Sequence, residues 1–251
     1  TTYAMPIFYA NAEPLNPTRH AGVGLLAKPG FGFARRAHAI PIMAAEMPSA
    51  MRSYPIVFAG PRKMPVVITG IRKDQNLFVE EDGNWSQPHY VPAYVRRYPF
   101  VLAGAEDSER LTLCIERDPE RVVTLDGKGG PATLFDGEEP SETTRKALEF
   151  CQNYQSMFNT TWEIVKRIEE KKLFVTRLGR VTLDTGEVLS ITDFDVIDEA
   201  AFNALSDEDF LSLRRNGALA VIYCHLASTN SWSSLLHQAK QRGLQPATGN
   251  T

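Results

Sequence analysis

From Pro140 to about Lys172, the residues Ala147, Leu148, Cys151, Tyr154, Phe158, Trp162, Val165 and Ile168 recur at three- and four-residue spacing. That period puts them on one face of a single long helix. At 1.5 Å per residue such a helix extends about 45 Å, and its stability must come mainly from whatever covers the apolar face. Lys171 and Lys172 follow Glu169 and Glu170, placing cations in the last turn where the helix dipole favours them. The chain must supply a broad apolar surface elsewhere.

Residues 1–137 are rich in Pro, Gly and short β-favouring runs, so that surface is expected to be sheet. The strands expected are Pro6–Ala10, Pro55–Ala59, Val66–Ile71, Leu77–Glu80, Phe100–Ala103, Leu111–Glu116 and Val122–Leu125. Glu81-Asp82-Gly83-Asn84, between Val79 and Trp85, predicts a hairpin turn, because Asp-Gly can occupy positive-φ positions. Ile42–Ser53, broken or restarted at Pro48, and Pro92–Tyr98 read as short helical pieces. Gly127-Lys128-Gly129-Gly130-Pro131 is a loop by composition.

Beyond the long helix, Arg180–Leu183 and Val188–Thr192 form an expected hairpin through Asp184-Thr185-Gly186-Glu187. A short helix follows at Glu199–Leu205. Ser206 with Asp209 three residues later resembles a capping box and opens a helix to Arg215, which Asn216-Gly217 closes. Ala218 to about Arg242 reads as one final helix, apolar early and polar late, and residues 244–251 as a loose tail. The expected fold class is α+β: a β-rich, mainly antiparallel N-terminal part over 1–137, packed with the long helix, a β-hairpin at 180–192 and C-terminal helices. One domain over residues 1–243 is expected, since no repeat or low-complexity linker divides it.

The chain has 251 residues, 43% hydrophobic and 23% charged, which excludes disordered and coiled-coil classes. Its 27 basic and 30 acidic side chains leave a net charge of −3, arguing against nucleic acid as a partner. The basic pairs Arg35–Arg36, Arg62–Lys63, Arg72–Lys73, Arg96–Arg97 and Arg214–Arg215 are scattered among acids. The longest apolar run, Ala218–Leu226, has nine residues, against the roughly 20 a bilayer requires, so no membrane insertion is expected. Thr1 to Pro6 has no basic segment leading into an apolar one, as a signal peptide would. Cys114, Cys151 and Cys224 are too few and too far apart for a disulfide framework or a paired-thiolate zinc site. Free thiols in a cytoplasmic protein are the expectation. Asn159-Thr160-Thr161 fits a glycosylation acceptor but falls within the long helix.

Motifs with defined chemistry are scarce. Gly22-Val23-Gly24-Leu25-Leu26-Ala27 fits a dinucleotide pattern formally, but Lys28-Pro29-Gly30 blocks the helix that would face the pyrophosphate. Gly127-Lys128 lacks the upstream glycine spacing and following Ser/Thr of a phosphate loop. No nucleophile elbow or His-Glu-x-x-His run occurs. The five histidines, His20, His38, His89, His225 and His237, form no compact pair. A metal site from His20, Glu46, His89 and His225 could assemble only in space. Asp193, Asp195 and Asp198 lack the glycine and terminal glutamate of a calcium loop and read as a solvated connection. No cofactor and no metal are expected.

Two segments hold the candidate site residues. Tyr90 to Phe100 is the densest polar-aromatic stretch. In it Tyr90, Tyr94 and Tyr98 beside Arg96 and Arg97 could bind a carbohydrate, a peptide carboxylate or a partner surface by stacking and bidentate hydrogen bonds. Equally, the tyrosines could pack inward while the arginines pair with local carboxylates. His225 lies in the apolar run from Gly217 to Ser228. There it is either a neutral histidine bonded to a backbone carbonyl or a general base or metal ligand. Glu46, in another apolar run, would join it in the second case, because a buried ionisable group is costly unless paired.

His20-Ala21-Gly22, Ala44-Ala45-Glu46-Met47-Pro48, Tyr54 to Phe58, Tyr90 to Phe100, Leu111 to Ile115 and Gly217 to Ser228 together resemble the SapC family of bacterial proteins. The resemblance runs in order over about residues 5–240. It implies an accessory role linked to surface-layer, carbohydrate or peptide handling, with a protein or surface-polymer or peptide partner. It brings no catalytic residues to carry over. The same name also denotes a transporter permease subunit, whose several membrane helices this sequence lacks. A binding or accessory protein and a metal-assisted enzyme acting on a peptide or sugar near His225 and Glu46 are the two functions that stand.

Overall fold

The computed structural model describes residues 7–26, 30–104, 111–125, 132–182 and 188–243. In chain order its strands are β1 (Ala12–Pro14), β2 (Val23–Leu25), β3 (Ala39–Pro41), β4 (Ile56–Ala59), β5 (Met64–Ile68), β6 (Phe100–Ala103) and β7 (Thr112–Glu116). They continue with β8 (Val122–Thr124), β9 (Ala132–Thr133), β10 (Phe135–Asp136), β11 (Glu139–Pro140), β12 (Phe174–Thr182) and β13 (Val188–Ile197). The helices are α1 (Met47–Ala50), α2 (Ala93–Arg96), α3 (Glu142–Glu170), α4 (Glu199–Asn203), α5 (Asp207–Arg215), α6 (Ala218–Ser228) and α7 (Ser231–Gly243). A 3-10 turn, Ala44–Glu46, leads into α1.

The strands pair antiparallel in the orders β12-β13-β4-β5-β3, β1-β7-β6 and β8-β2-β9, with β10 and β11 forming a two-stranded ladder. The architecture is α+β. Helix α3 starts where Ser141 Oγ accepts the Thr144 N–H at 3.2 Å, and it buries Cys151, Tyr154, Thr161, Val165 and Ile168. That face meets β5, β6, the 3-10 turn and α6. The main core joins Tyr54, Phe58 and Phe78 to α6 and the inner residues of α3.

Several elements differ from expectation for identifiable reasons. No strand forms over the described Ile7–Ala10. The Glu116 carboxylate takes the Ala10 and Asn11 N–H groups, at 3.1 and 2.9 Å, so ladder pairing begins only at Ala12, opposite Glu116. Leu77–Glu80 supplies a single bridge, Val79 to Trp85, around a turn in which Gly83 has φ +83°. The hairpin at 180–192 extends to β12 and β13, while its turn at 183–187 lies outside the described residues. The expected acidic connection at 193–198 is mostly strand, because Asp195 is neutralised by Lys63 Nζ at 2.8 Å and bound by Thr176 Oγ1 at 2.7 Å.

The final helix is two. Thr229 Oγ1 and Asn230 Nδ2 donate to the carbonyls of Leu226 and Ala227, at 2.7 and 3.3 Å, and satisfy the end of α6 before α7 begins. Gly217, with φ +81°, separates α5 from α6 as expected. The loop at 127–131 and the tail at 244–251 lie outside the described residues. No helix among the described residues is long and apolar enough to cross a membrane.

Candidate ligand-binding site

Glu46 is buried, and its carboxylate is fully engaged. Oε2 accepts the Met43 N–H at 2.8 Å and closes the 3-10 turn. Oε1 accepts the Ala93 N–H at 2.7 Å and the Tyr90 hydroxyl at 2.9 Å. A short helix whose N-cap is Pro92 has no side-chain cap of its own, and Glu46 takes that place from a distant part of the chain. Burial and the adjacent Glu46 push the Tyr90 phenol up to about 12. Tyr90 in turn accepts from Arg96 Nη2 at 3.1 Å, and Arg96 Nε donates to Val91 O at 3.1 Å. Glu46 thus positions Arg96 through Tyr90, joining two of the segments that carry the family resemblance.

His225 joins two more. Its Nδ1 lies 2.8 Å from the Ile56 carbonyl on β4, and its Nε2 accepts the Ile197 N–H of β13 at 3.2 Å. These contacts fix the neutral tautomer with hydrogen on Nδ1. Burial holds the imidazole pKa down to about 4, against a small opposing effect of the bond to Ile56. Ser228 Oγ adds a bond from the Ile56 N–H at 3.0 Å. Both ring nitrogens are committed to backbone, so His225 pins α6 to the sheet and has no atom free for proton transfer.

The Tyr90–Phe100 segment divides between inside and outside. Tyr94 and Tyr98 are buried; their hydroxyls donate to Ile7 O and Asp118 Oδ2, each at 3.1 Å. Arg96 is exposed, with Phe150 and Tyr90 rings 5.4 and 5.8 Å from its guanidinium. Arg97 turns inward. Its guanidinium lies 4.2 Å from the Tyr94 ring, 4.5 Å from Tyr154 and 5.6 Å from Tyr9, within the range of cation–π attraction. No carboxylate pairs with it among the described residues, and its Nε is buried without an acceptor there.

Arg121 repeats this arrangement. It is 7% exposed and sits 4.5 Å from the Phe33 ring and 5.3 Å from Tyr98, which stack on each other with centroids 3.9 Å apart. Its Nη1 donates to Tyr98 O at 3.2 Å and its Nη2 to Gly30 O. Its Nε also lacks an acceptor among the described residues. Arg96, Arg97, Arg121 and Lys146 converge on a cavity of about 260 Å³ walled by Leu25, Leu26, Pro99, Phe100, Ala147 and Phe150. The described lining contains no Asp or Glu. Lys146, exposed at the mouth, pairs with Glu142 at 2.6 Å.

A second cavity, of about 360 Å³, is lined by Arg19, His20 and Arg117, and here one carboxylate touches all three and offsets part of their charge. Glu13 pairs with Arg19 at 3.1 Å, with His20 at 3.1 Å and with Arg117. The Arg117 hydrogen bond leads in holding the Glu13 carboxyl below its usual pKa. In the first cavity Arg97 and Arg121, unlike Arg19 and Arg117, have no carboxylate in an ion pair among the described residues.

Sequence reasoning found Arg96 and Arg97 but not Arg121, Lys146, Phe150 or Tyr154. Arg121 stands in an acidic, proline-containing turn that gives no hint of burial. Lys146 and Phe150 were findable, being four apart and adjacent to the apolar stripe of α3. His20 is held by Glu13, and His89 packs 4.9 Å from the Phe78 ring. Among the described residues no group of three or more His, Cys, Asp or Glu is placed to hold a metal ion, so His20, Glu46, His89 and His225 do not converge. The three cysteines are buried and unpaired.

A search of curated proteins and a search of solved structures each return no match. The family model SapC matches residues 15–235, most of the chain, and the protein belongs to the SapC family.

Proposed function

We propose that this SapC-family protein is a non-catalytic binding protein with an accessory role in surface-layer, carbohydrate or peptide handling. Its cleft beneath residues 96–100 captures an acidic group of its ligand. The observation that carries this reading is the convergence of Arg96, Arg97, Arg121 and Lys146 on one cavity whose described lining has no carboxylate. Apolar walls lower the local dielectric and strengthen the attraction of these charges for an anion. Guanidinium groups already held by aromatic faces lose little freedom on binding, which favours affinity.

Citrate, a compact trianion, tests the reading by calorimetric titration. The comparison is with an Arg96→Glu/Lys146→Glu double variant, since both side chains are exposed. Citrate should bind the wild type, more weakly as salt rises, and at least tenfold more weakly to the variant, which should remain folded by circular dichroism with a urea midpoint lowered only modestly by loss of the Arg96 and Lys146 surface contacts. Equal affinity for the two proteins would sink the reading.

A further inference from the structure

We infer that the cleft is shaped for a phosphate monoester bearing a small apolar group, an inference that rests on the reading of this cleft as an anion site. Charge is the first ground. Arg97 faces tyrosine rings and no acid, and its Nε is without an acceptor among the described residues. Arg121 donates only to the carbonyls of Tyr98 and Gly30, and its Nε is likewise orphaned. Asp118 acts on Arg121 through space but forms no ion pair with it, its Oδ2 being bound by the Tyr98 hydroxyl at 3.1 Å. Buried polar atoms without partners are rare and call for an explanation.

Arg97 and Arg121 both line the cavity, with the exposed Arg96 beside them, and their two charges exceed what one carboxylate can balance. A carboxylate brings a single charge and two oxygens. A phosphate monoester brings between about 1.5 and 2 negative charges near neutral pH and three acceptor oxygens, and arginine forks match that geometry. The second ground is the wall. Leu25, Leu26, Phe100 and Phe150 would stay uncovered by a bare phosphate ion. A cavity of about 260 Å³ lies at or below the small end of ligand sites, which suits a phosphoryl group with one ring or short chain.

The test uses calorimetry at low salt with phenyl phosphate, benzoate and inorganic phosphate, on the wild type and the Arg96→Glu/Lys146→Glu variant. Phenyl phosphate should bind at least tenfold tighter than either other probe and lose at least tenfold in the variant. Benzoate or inorganic phosphate binding as tightly as phenyl phosphate overturns the inference. So does citrate binding in the absence of phenyl phosphate binding, and in all these cases the anion-site reading survives. Binding of none of the four probes, or binding that the charge reversal leaves unchanged, overturns both.

Discussion

Acid should act on this fold through His225. Burial holds its pKa at about 4 in the folded chain, against about 6.5 when unfolded. The unfolded state therefore takes up the proton first. The stability this group confers is complete above about pH 6.5 and is lost as pH falls toward 4. At about 1.4 kcal/mol per pKa unit the ceiling is roughly 3 kcal/mol, and about 2 kcal/mol of it disappears between pH 7 and pH 5. Protonation would also set an Nε2–H against the Ile197 N–H, which now donates to that nitrogen at 3.2 Å. The assay is urea unfolding at pH 7, 6 and 5 for the wild type and His225→Gln. Glutamine carries no charge at any of these values and keeps one hydrogen bond, so the variant should be weaker at pH 7 by about 1–3 kcal/mol. Subtracting the two profiles cancels the acid sensitivity of Glu13 and Asp195, whose pKa values are held low in both proteins. The gap should close by about 2 kcal/mol at pH 5. Parallel profiles would refute the reasoning, because they would mean that the imidazole is protonated equally easily in both states.

Glu46→Gln should lower stability by about 1–3 kcal/mol in urea unfolding, since the amide NH2 would confront either the Met43 N–H or the Ala93 N–H. The same substitution should bring the Tyr90 phenol below its present value of about 12 in a spectrophotometric titration. Arg97→Met removes a half-buried cation that no carboxylate pairs with among the described residues, so its thermal midpoint should be equal or higher while citrate affinity drops; a collapsed fold would contradict the proposed role of Arg97 in binding. Gly70→Ala puts a Cβ 1.9 Å from the Gln75 carbonyl oxygen, and the backbone shift should cost about 3 kcal/mol, read as the change in urea midpoint. Thr161→Val strands the Ala44 N–H that Thr161 Oγ1 accepts at 2.9 Å, for a loss of about 1–3 kcal/mol in the same assay.

What sequence could show depended on whether the determining contacts are local. Helix α3 was legible throughout, because its period lies within its own residues and its Ser141 cap and the lysines at its end directly flank them. Gly217 and Ser206 were legible for the same reason. The course of β13 was not, because an acidic stretch becomes acceptable as strand only when Lys63, far back in the chain, meets Asp195. The adjacent Arg96 and Arg97 look equivalent in sequence. They diverge because α2 turns one toward Tyr9 and Tyr154, and those rings arrive from the N-terminal segment and from α3. The same non-locality hid Arg121, whose enclosure by Phe31 and Phe33 follows from a loop docking about 90 residues away in sequence.

Arginine side chains keep their proton at every pH a folded protein survives, and the two cations that line the cleft without an ion pair among the described residues are arginines. Their own contribution to the electrostatic potential there is consequently fixed. Any pH dependence of binding seen between the carboxylate and lysine ranges should therefore mirror ionisation of the proposed anion, which turns the apparent pKa of binding into a chemical fingerprint of that ligand.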